Sequence, residues 1–567
     1  MKRIKEIKIK NFKAFQEEQT FNINEKHVLV YGNNGAGKSS LFWALYTFLQ
    51  SSTKQDPQIQ KYFEDFVESN KLTHQSLKNI FVPVAEDSYI KITSIDSAGV
   101  ETTNTISRDT INTNTDAIIQ ELNIASDFIN YNLLHNFYRG SHKQEVNLWP
   151  VFERDIFPFF MDNTAKIIID KWYEYFNYIN IKDGYSVGTR THLYRQVINK
   201  IEEFNIEVDD FLTTTENEAN LFLRQNFYNN ENVIKLKLIF DSKFSFDKIR
   251  SADWHNTQWR SLNHSIKLEV YLFKNNEWIS IARPQSFLNE SQLTRIAIGI
   301  RFGALRTRVQ SSDFKILVLD DMLISLDMSN RMDVVRVILN KGNKESLSYF
   351  DSFQKIILTH DKAFFNLIRR NTDDEDWIYY KFLKDESKNE APTINEDPSE
   401  LQKAQAELSS GEFEAVGNRL RRVAEDLLVQ FDDPEMKKLD KEFEGLTKKL
   451  EKALNKIISR SHQRFKQKFI SDLEIDKLKK IKEDYNADGT LDQADKDKIT
   501  ATKEKVFDYL IELNETNDRK EKLIKNTKEI LDRIMNPASH GGGNPLYRAE
   551  LVDAIESIKE LKNYLNE

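Results

Sequence analysis

The chain has 567 residues, with 81 Lys and Arg against 89 Asp and Glu and no cysteine. The missing cysteines exclude disulfides, thiolate zinc sites and cysteine nucleophiles, and fit a reducing cytoplasm. The net charge of −8 excludes a surface that is basic throughout, and the 40% hydrophobic content excludes wholesale disorder.

Residues 2–10 alternate charged and apolar side chains, which predicts a half-buried strand. The apolar run 27–31 predicts a buried strand ending at Gly32, and a helix pattern follows over 38–49. Strands are expected at 88–94 and 99–107, around a Ser-Ala-Gly turn at 97–99. From 151 to 230 the pattern is helical and rich in aromatics. At about 35 residues per helix, roughly 50 Å, it is too short for a long coiled-coil arm. Strand character returns at 233–240, 265–273 and 278–281, with Asn275-Asn276 as a hairpin turn. A helix is expected over 290–308, then strands at 315–319 and 355–359 around another helix. A polar stretch with Pro392 and Pro398 marks a boundary near 385–400, and everything beyond it reads as helix. No run of about 18 apolar residues occurs, so neither a membrane span nor a signal peptide is expected.

Gly32-Asn33-Asn34-Gly35-Ala36-Gly37-Lys38-Ser39 fits G-x-x-x-x-G-K-[ST], after an apolar strand and before a helix. Glycines let backbone N–H groups close around phosphate oxygens at a helix N-terminus. Lys38 would reach the β and γ phosphates of ATP, Ser39 would ligate Mg²⁺, and Ser40 completes the binding segment. Ile316 to Leu319 form an apolar strand that ends in Asp320 and Asp321. Asp320 would hold Mg²⁺ through water, and Asp321 would polarise the attacking water.

After these carboxylates, Ser325-Leu326-Asp327 resembles the D-loop of ABC-type ATPases, and Ile357-Leu358-Thr359-His360-Asp361 resembles their switch histidine. Ile9-Lys10-Asn11-Phe12-Lys13 is similar to the opening strand of the SMC/RecF branch. The resemblance covers about 1–150 and 230–384. It implies an α/β ABC-type ATPase head with a helical insertion, followed by an all-α C-terminal domain. It also implies that Lys13 touches phosphate. In place of the usual Leu-Ser-Gly-Gly-Gln signature stands Leu288-Asn289-Glu290-Ser291-Gln292. Asn289 and the Ser291 N–H would meet a γ-phosphate in trans, which implies a head-to-tail homodimer or higher oligomer through ATP. Glu290 adds an unfavourable charge there, and a plain helix cap is the other reading. Gln144 is the candidate γ-phosphate-sensing glutamine.

The expected organisation is head halves at 1–150 and 231–390, an insertion at 151–230 and a helical effector or interaction domain at 400–567. In the last of these, Arg421 and Glu425 lie four apart, on one face of a predicted helix. With Asn536-Pro537-Ala538-Ser539-His540 they resemble the HEPN-like domain of the PrrC/RloC anticodon nucleases. That resemblance implies Arg421, Glu425 and His540 as a metal-free RNase set acting on tRNA. Residues 437–482 carry 15 Lys and Arg against 7 Asp and Glu. Lys448, Lys452, Lys456, Arg460, Arg464 and Lys468 recur every four residues, a slanting cationic row suited to a nucleic-acid backbone. A solvated helix face explains the same run. Asp484, Asn486, Asp488, Thr490 and Asp495 fit an EF-hand-like loop for Ca²⁺ or Mg²⁺, and a polar turn between helices fits them too. Three functions follow as expectations: a defence ATPase controlling its own RNase, an ATPase scaffold resembling those of Septu or PARIS systems with a separate effector protein, or a RecF-like DNA-repair ATPase.

Overall fold

A computed structural model describes residues 2–130, 136–137, 145–160, 168–171, 192–228, 230–242, 265–281, 283–307, 312–321, 328–340, 345–373, 375–385, 391–429, 479–483, 485, 490, 492–502, 504, 522, 526, 529–530, 533–534 and 546–566. The chain divides into two units, Met1–Asp397 and Pro398–Glu567.

The first unit is built on a six-stranded sheet of β3 (His27–Gly32), β6 (Asp127–Asn130), β10 (Ile316–Asp320), β11 (Gln354–Thr359), β12 (Trp377–Asp385) and β13 (Ala391–Glu396), in the order β13-β12-β3-β11-β10-β6. All neighbours are parallel except β13, which pairs antiparallel with β12 at the edge. Strands buried on both faces read as unbroken apolar runs, and β10 and β11 are buried along their whole length. Their side chains alternate between two cores. Leu29, Leu317, Leu319 and Ile357 enter one, while Val28, Val30, Ile316, Val318 and Leu358 enter the other.

The second of these cores also takes helix α1 (Lys38–Ser51) and an antiparallel sheet ordered β2-β1-β4-β5. Its strands are β1 (Arg3–Lys10), β2 (Glu18–Asn22), β4 (Tyr89–Ile95) and β5 (Glu101–Ser107). In β1, Ile4, Ile7 and Ile9 point inward, with a register shift between Ile4 and Glu6. Gln354 links the two sheets, because its side chain bonds Ile4 N, Ile4 O and Lys26 O.

The first core holds α2 (His192–Phe227), a 36-residue helix inside the expected insertion, and α3 (Glu290–Arg306). Phe204, Val208, Leu212, Phe222 and Leu223 of α2 are all buried, so the helix is part of the first unit's interior. The two helices touch at Gly303. A Cβ there would lie 2.8 Å from Ala219 N and 2.9 Å from Thr215 O, so only glycine permits this approach. Arg301, on the same helix, is 2% exposed and pairs with Asp127 of β6 (Nε to Oδ2, 3.0 Å), itself 1% exposed. It also donates to the carbonyl of Asp155. A third sheet, β7 (Ile234–Ser242), β8 (Ser265–Lys274) and β9 (Glu277–Ile281), is antiparallel. Asn275 and Asn276 join β8 to β9 with φ of 52° and 63°, as a type I′ turn requires.

The division between Asp397 and Pro398 falls inside the expected boundary of 385–400, and residues 391–396, just before it, form β13. Pro392 is tolerated because β13 is an edge strand.

His27, at the start of β3, packs on Trp377 and accepts a hydrogen bond from Lys355 N at Nδ1 (2.9 Å). Burial pushes its imidazole down from 6.5 to about 2, with the Lys355 and Arg3 charges adding to the effect. Below pH 6.5 the unfolded chain takes up this proton and the native state does not. Stability therefore falls as pH drops from 6.5, at about 1.4 kcal/mol per pH unit from this group. Urea midpoints between pH 7 and pH 5 should show that slope, and His27→Asn, which keeps an acceptor, should flatten it. An equal slope in the variant would place the effect elsewhere.

In the second unit the described elements are helices, including α4 (Glu400–Ser410), α5 (Phe413–Val429) and α6 (Arg548–Asn566). Leu401, Ala404, Leu408, Val416, Leu420, Ala424, Leu551, Ile555 and Ile558 share one core. Ser399 and Gln402 form a capping box at the start of α4, and Gly411 (φ 84°) ends it. Among the described residues, no helix is long and apolar enough to cross a membrane.

Candidate nucleotide site

The site lies at the C-terminal ends of β3, β10 and β11, where parallel strands leave a crevice. Between β3 and α1 the chain turns at Gly35 (φ 83°) and Gly37 (φ 88°). Position 37 needs glycine twice over, because a Cβ would also lie 2.8 Å from Pro392 Cγ of β13. Lys38 is buried and folds back into the loop, its Nζ 2.6 Å from Gly32 O and 3.2 Å from Asn33 O. Burial lowers its pKa, partly offset by Asp321 and Asp320. Asn33 also accepts from Tyr31 (3.1 Å), and Asn34 and Ala36 complete the turn.

Opposite the loop, the strand-end carboxylates take different partners. Ser39 Oγ donates to Asp320 Oδ2 (3.1 Å), while Asp320 Oδ1 is buried with no hydrogen-bond partner among the described residues. Burial and the neighbouring Asp321 charge push Asp320 up to about 6. A hydroxyl and a buried carboxylate oxygen with nothing to bond form a donor set that suits a hard cation such as Mg²⁺. Asp321 adopts φ 49° and accepts at Oδ1 from His360 N (2.9 Å). His360 Nδ1 lies 2.8 Å from the same oxygen, and Lys38 Nζ lies 3.9 Å from Oδ2. Asp361 caps the next helix (Lys362–Arg370), accepting from Ala363 N and Phe364 N, and pairs with Arg331.

The structure thus brings Lys38, Ser39, Asp320, Asp321 and His360 together. Ser40 Oγ accepts from Ala14 N (3.2 Å), which fixes the bend carrying Lys13 against the first turn of α1. Asn289 is the N-cap of α3 in a capping box, accepting from Gln292 N (2.8 Å) while Gln292 Oε1 accepts from Asn289 N. Its Nδ2 takes no part in that cap, and Ser291 lies in the first turn. Arg421 and Glu425 are four residues apart on α5. Asp495 sits in the first turn of a helix, its N donating to Asp492 Oδ1 (2.7 Å), with Thr490 before it. Gln144, Asp327, His540, Asp484, Asn486, Asp488 and the row Lys448, Lys452, Lys456, Arg460, Arg464, Lys468 lie outside the described residues. Among the described residues, no group of three His, Asp or Glu side chains is placed to hold a metal alone. A cation beside Asp320 would therefore need phosphate oxygens as well.

Sequence reasoning missed the roof of the loop. Pro392 covers Gly37, and Lys384 of β12 runs alongside Gly35. The clamp of Arg331 on Asp361 was also missed, and no spacing in the sequence signals either one.

A family model described as an AAA domain matches residues 6–161. Solved structures that align with the chain include RecF with ATP, a recombination mediator of the RecFOR pathway, at 13% identity over 70% of this chain and 98% of that one (TM-score 0.38). The Pyrococcus furiosus SMC head with an extended coiled coil, bound to the C-terminal domain of ScpA, aligns at 13% identity over 73% and 100% (TM-score 0.38). The Thermotoga maritima SMC head domain aligns at 13% identity over 70% and 100% (TM-score 0.29). The comparison with curated proteins finds no match.

Proposed function

We propose that the first unit binds Mg²⁺-ATP and hydrolyses it. The observation that carries this is the pairing of Ser39 Oγ with Asp320 beside a free Asp320 oxygen, at the mouth of a glycine loop that buries Lys38. Lys38 would exchange its two loop carbonyls for phosphate oxygens. Mg²⁺, held by Ser39 and Asp320, would neutralise charge on the phosphates. Asp321 would orient the attacking water, and His360 would steady Asp321. Asn289 and Ser291 of a second copy would close the site from outside, with Asp327, giving a head-to-tail homodimer.

For the second unit the reading is a nucleic-acid effector governed by ATP, in anti-phage defence. The reading has Arg421, Glu425 and His540 cleave RNA, with the cationic row from Lys448 to Lys468 holding its backbone. Two variants test the two halves. Purified Lys38→Met should lose Mg²⁺-dependent phosphate release and most ATP binding. His540→Ala should keep both and lose the discrete tRNA fragments made by cells expressing wild type. ATP turnover unchanged in Lys38→Met would sink the first half. Intact tRNA in all strains would replace the intrinsic nuclease with a scaffold whose effector is a separate protein.

A further inference from the structure

Lys13 lies beside the phosphate loop with a ring beneath its charge. Its Nζ is 5.7 Å from the centroid of Trp43, within cation–π range. The backbone at Lys13 is fixed on every side. Its N donates to Leu77 O (2.7 Å), its carbonyl accepts from Asn79 Nδ2 (2.7 Å), and the next residue's N donates to Ser40 Oγ. Only the side chain can move. The indole is fixed too, edge-on to Phe42 (6.0 Å) and Tyr46 (5.6 Å), yet 41% exposed. Ser40 and Trp43 are three residues apart and share one face of α1, so ring and ammonium sit one turn from Lys38 and Ser39. Burial lowers the Lys13 pKa, and no carboxylate counters it. A partly buried cation with no anion beside it among the described residues, next to a phosphate site, is a phosphate ligand in waiting.

We propose that Trp43 is a positioning residue, whose ring holds the Lys13 ammonium at the rim of the phosphate loop and still backs it when a nucleotide phosphate pairs with its outer side. This rests on the nucleotide reading of the loop. A phosphate that pairs with the ammonium changes the charge beside the indole, so Trp43 emission reports nucleotide binding. A tryptophan is an unusual cost on an exposed helix position, and holding a cation accounts for it.

The test uses the full chain, a double-mutant cycle and Mg²⁺-ATP as the probe. Trp43→Leu should weaken ATP binding about threefold to tenfold, and Trp43→Phe, which keeps a ring face, should recover most of it. In a Lys13→Met background, Trp43→Leu should cost nothing further. ATP should change tryptophan emission in wild type, and the change should vanish in Trp43→Phe and in Lys13→Met. Equal losses from Trp43→Leu in both backgrounds, or no loss in either, overturn the inference while leaving the nucleotide site intact. Wild type that binds no ATP overturns both.

Discussion

Replacing Arg301 with methionine is expected to destabilise the first unit by about 3–5 kcal/mol, the cost of leaving one partner of a buried pair without the other. Arg301 joins α3 to Asp127 on β6 and to the Asp155 carbonyl, so three separate stretches of chain lose their shared donor. The Asp127 carboxylate then loses its guanidinium in an interior that solvates charge poorly. Urea unfolding followed by tryptophan emission reads this unit directly, since all seven tryptophans precede residue 378. The double variant Arg301→Met with Asp127→Leu should regain most of the loss, because an apolar pair of similar volume needs no counter-charge. A single-variant loss under about 1 kcal/mol would mean that solvent reaches the pair.

Asp321→Asn is expected to lower ATP turnover by about a hundredfold or more while leaving ATP affinity near wild type. Asparagine keeps the oxygen that accepts from His360 N and keeps the side-chain volume. It lacks the negative charge needed to draw a proton from water. Because the charge acts during chemistry, kcat should fall and KM should stay. Single-turnover phosphate release with a parallel binding titration separates the two. A fall of threefold or less would assign the water to another group.

The parts of this site legible in the sequence are those whose surroundings force a pattern. The strands β3, β10 and β11 carry apolar runs at 28–30, 316–319 and 356–358 because both faces are covered, and that makes the glycine loop and the twin carboxylates easy to place. The edge strand β13 was hidden by its polar composition, since Thr393, Asn395 and Glu396 are exposed and Pro392 looks like linker chemistry, while β12 is buried from Trp377 to Tyr380 and shows its polar residues only at its far end. Periodicity marks α2 as a helix, but it carries no information on where the apolar face docks. The glycines at 299 and 303 on the partner helix were the available clue, as each faces α2 too closely for a side chain. The contact between Asp127 and Arg301, 174 residues apart, left no local trace.

The strand order has a consequence for synthesis. The loop-bearing strand β3 is flanked by β11 and β12, which come from residues 354–385. While the ribosome is still making the middle of the chain, both edges of β3 are open, and the loop has no fixed floor. Closing the sheet joins His27–Gly32 to strands that begin only at Gln354 and Trp377, a slow kind of pairing. A fragment ending near residue 161, where the AAA-domain match stops, would carry the glycine loop on an unpaired strand prone to self-association. The glycine loop is therefore made early, and the site it belongs to is completed late.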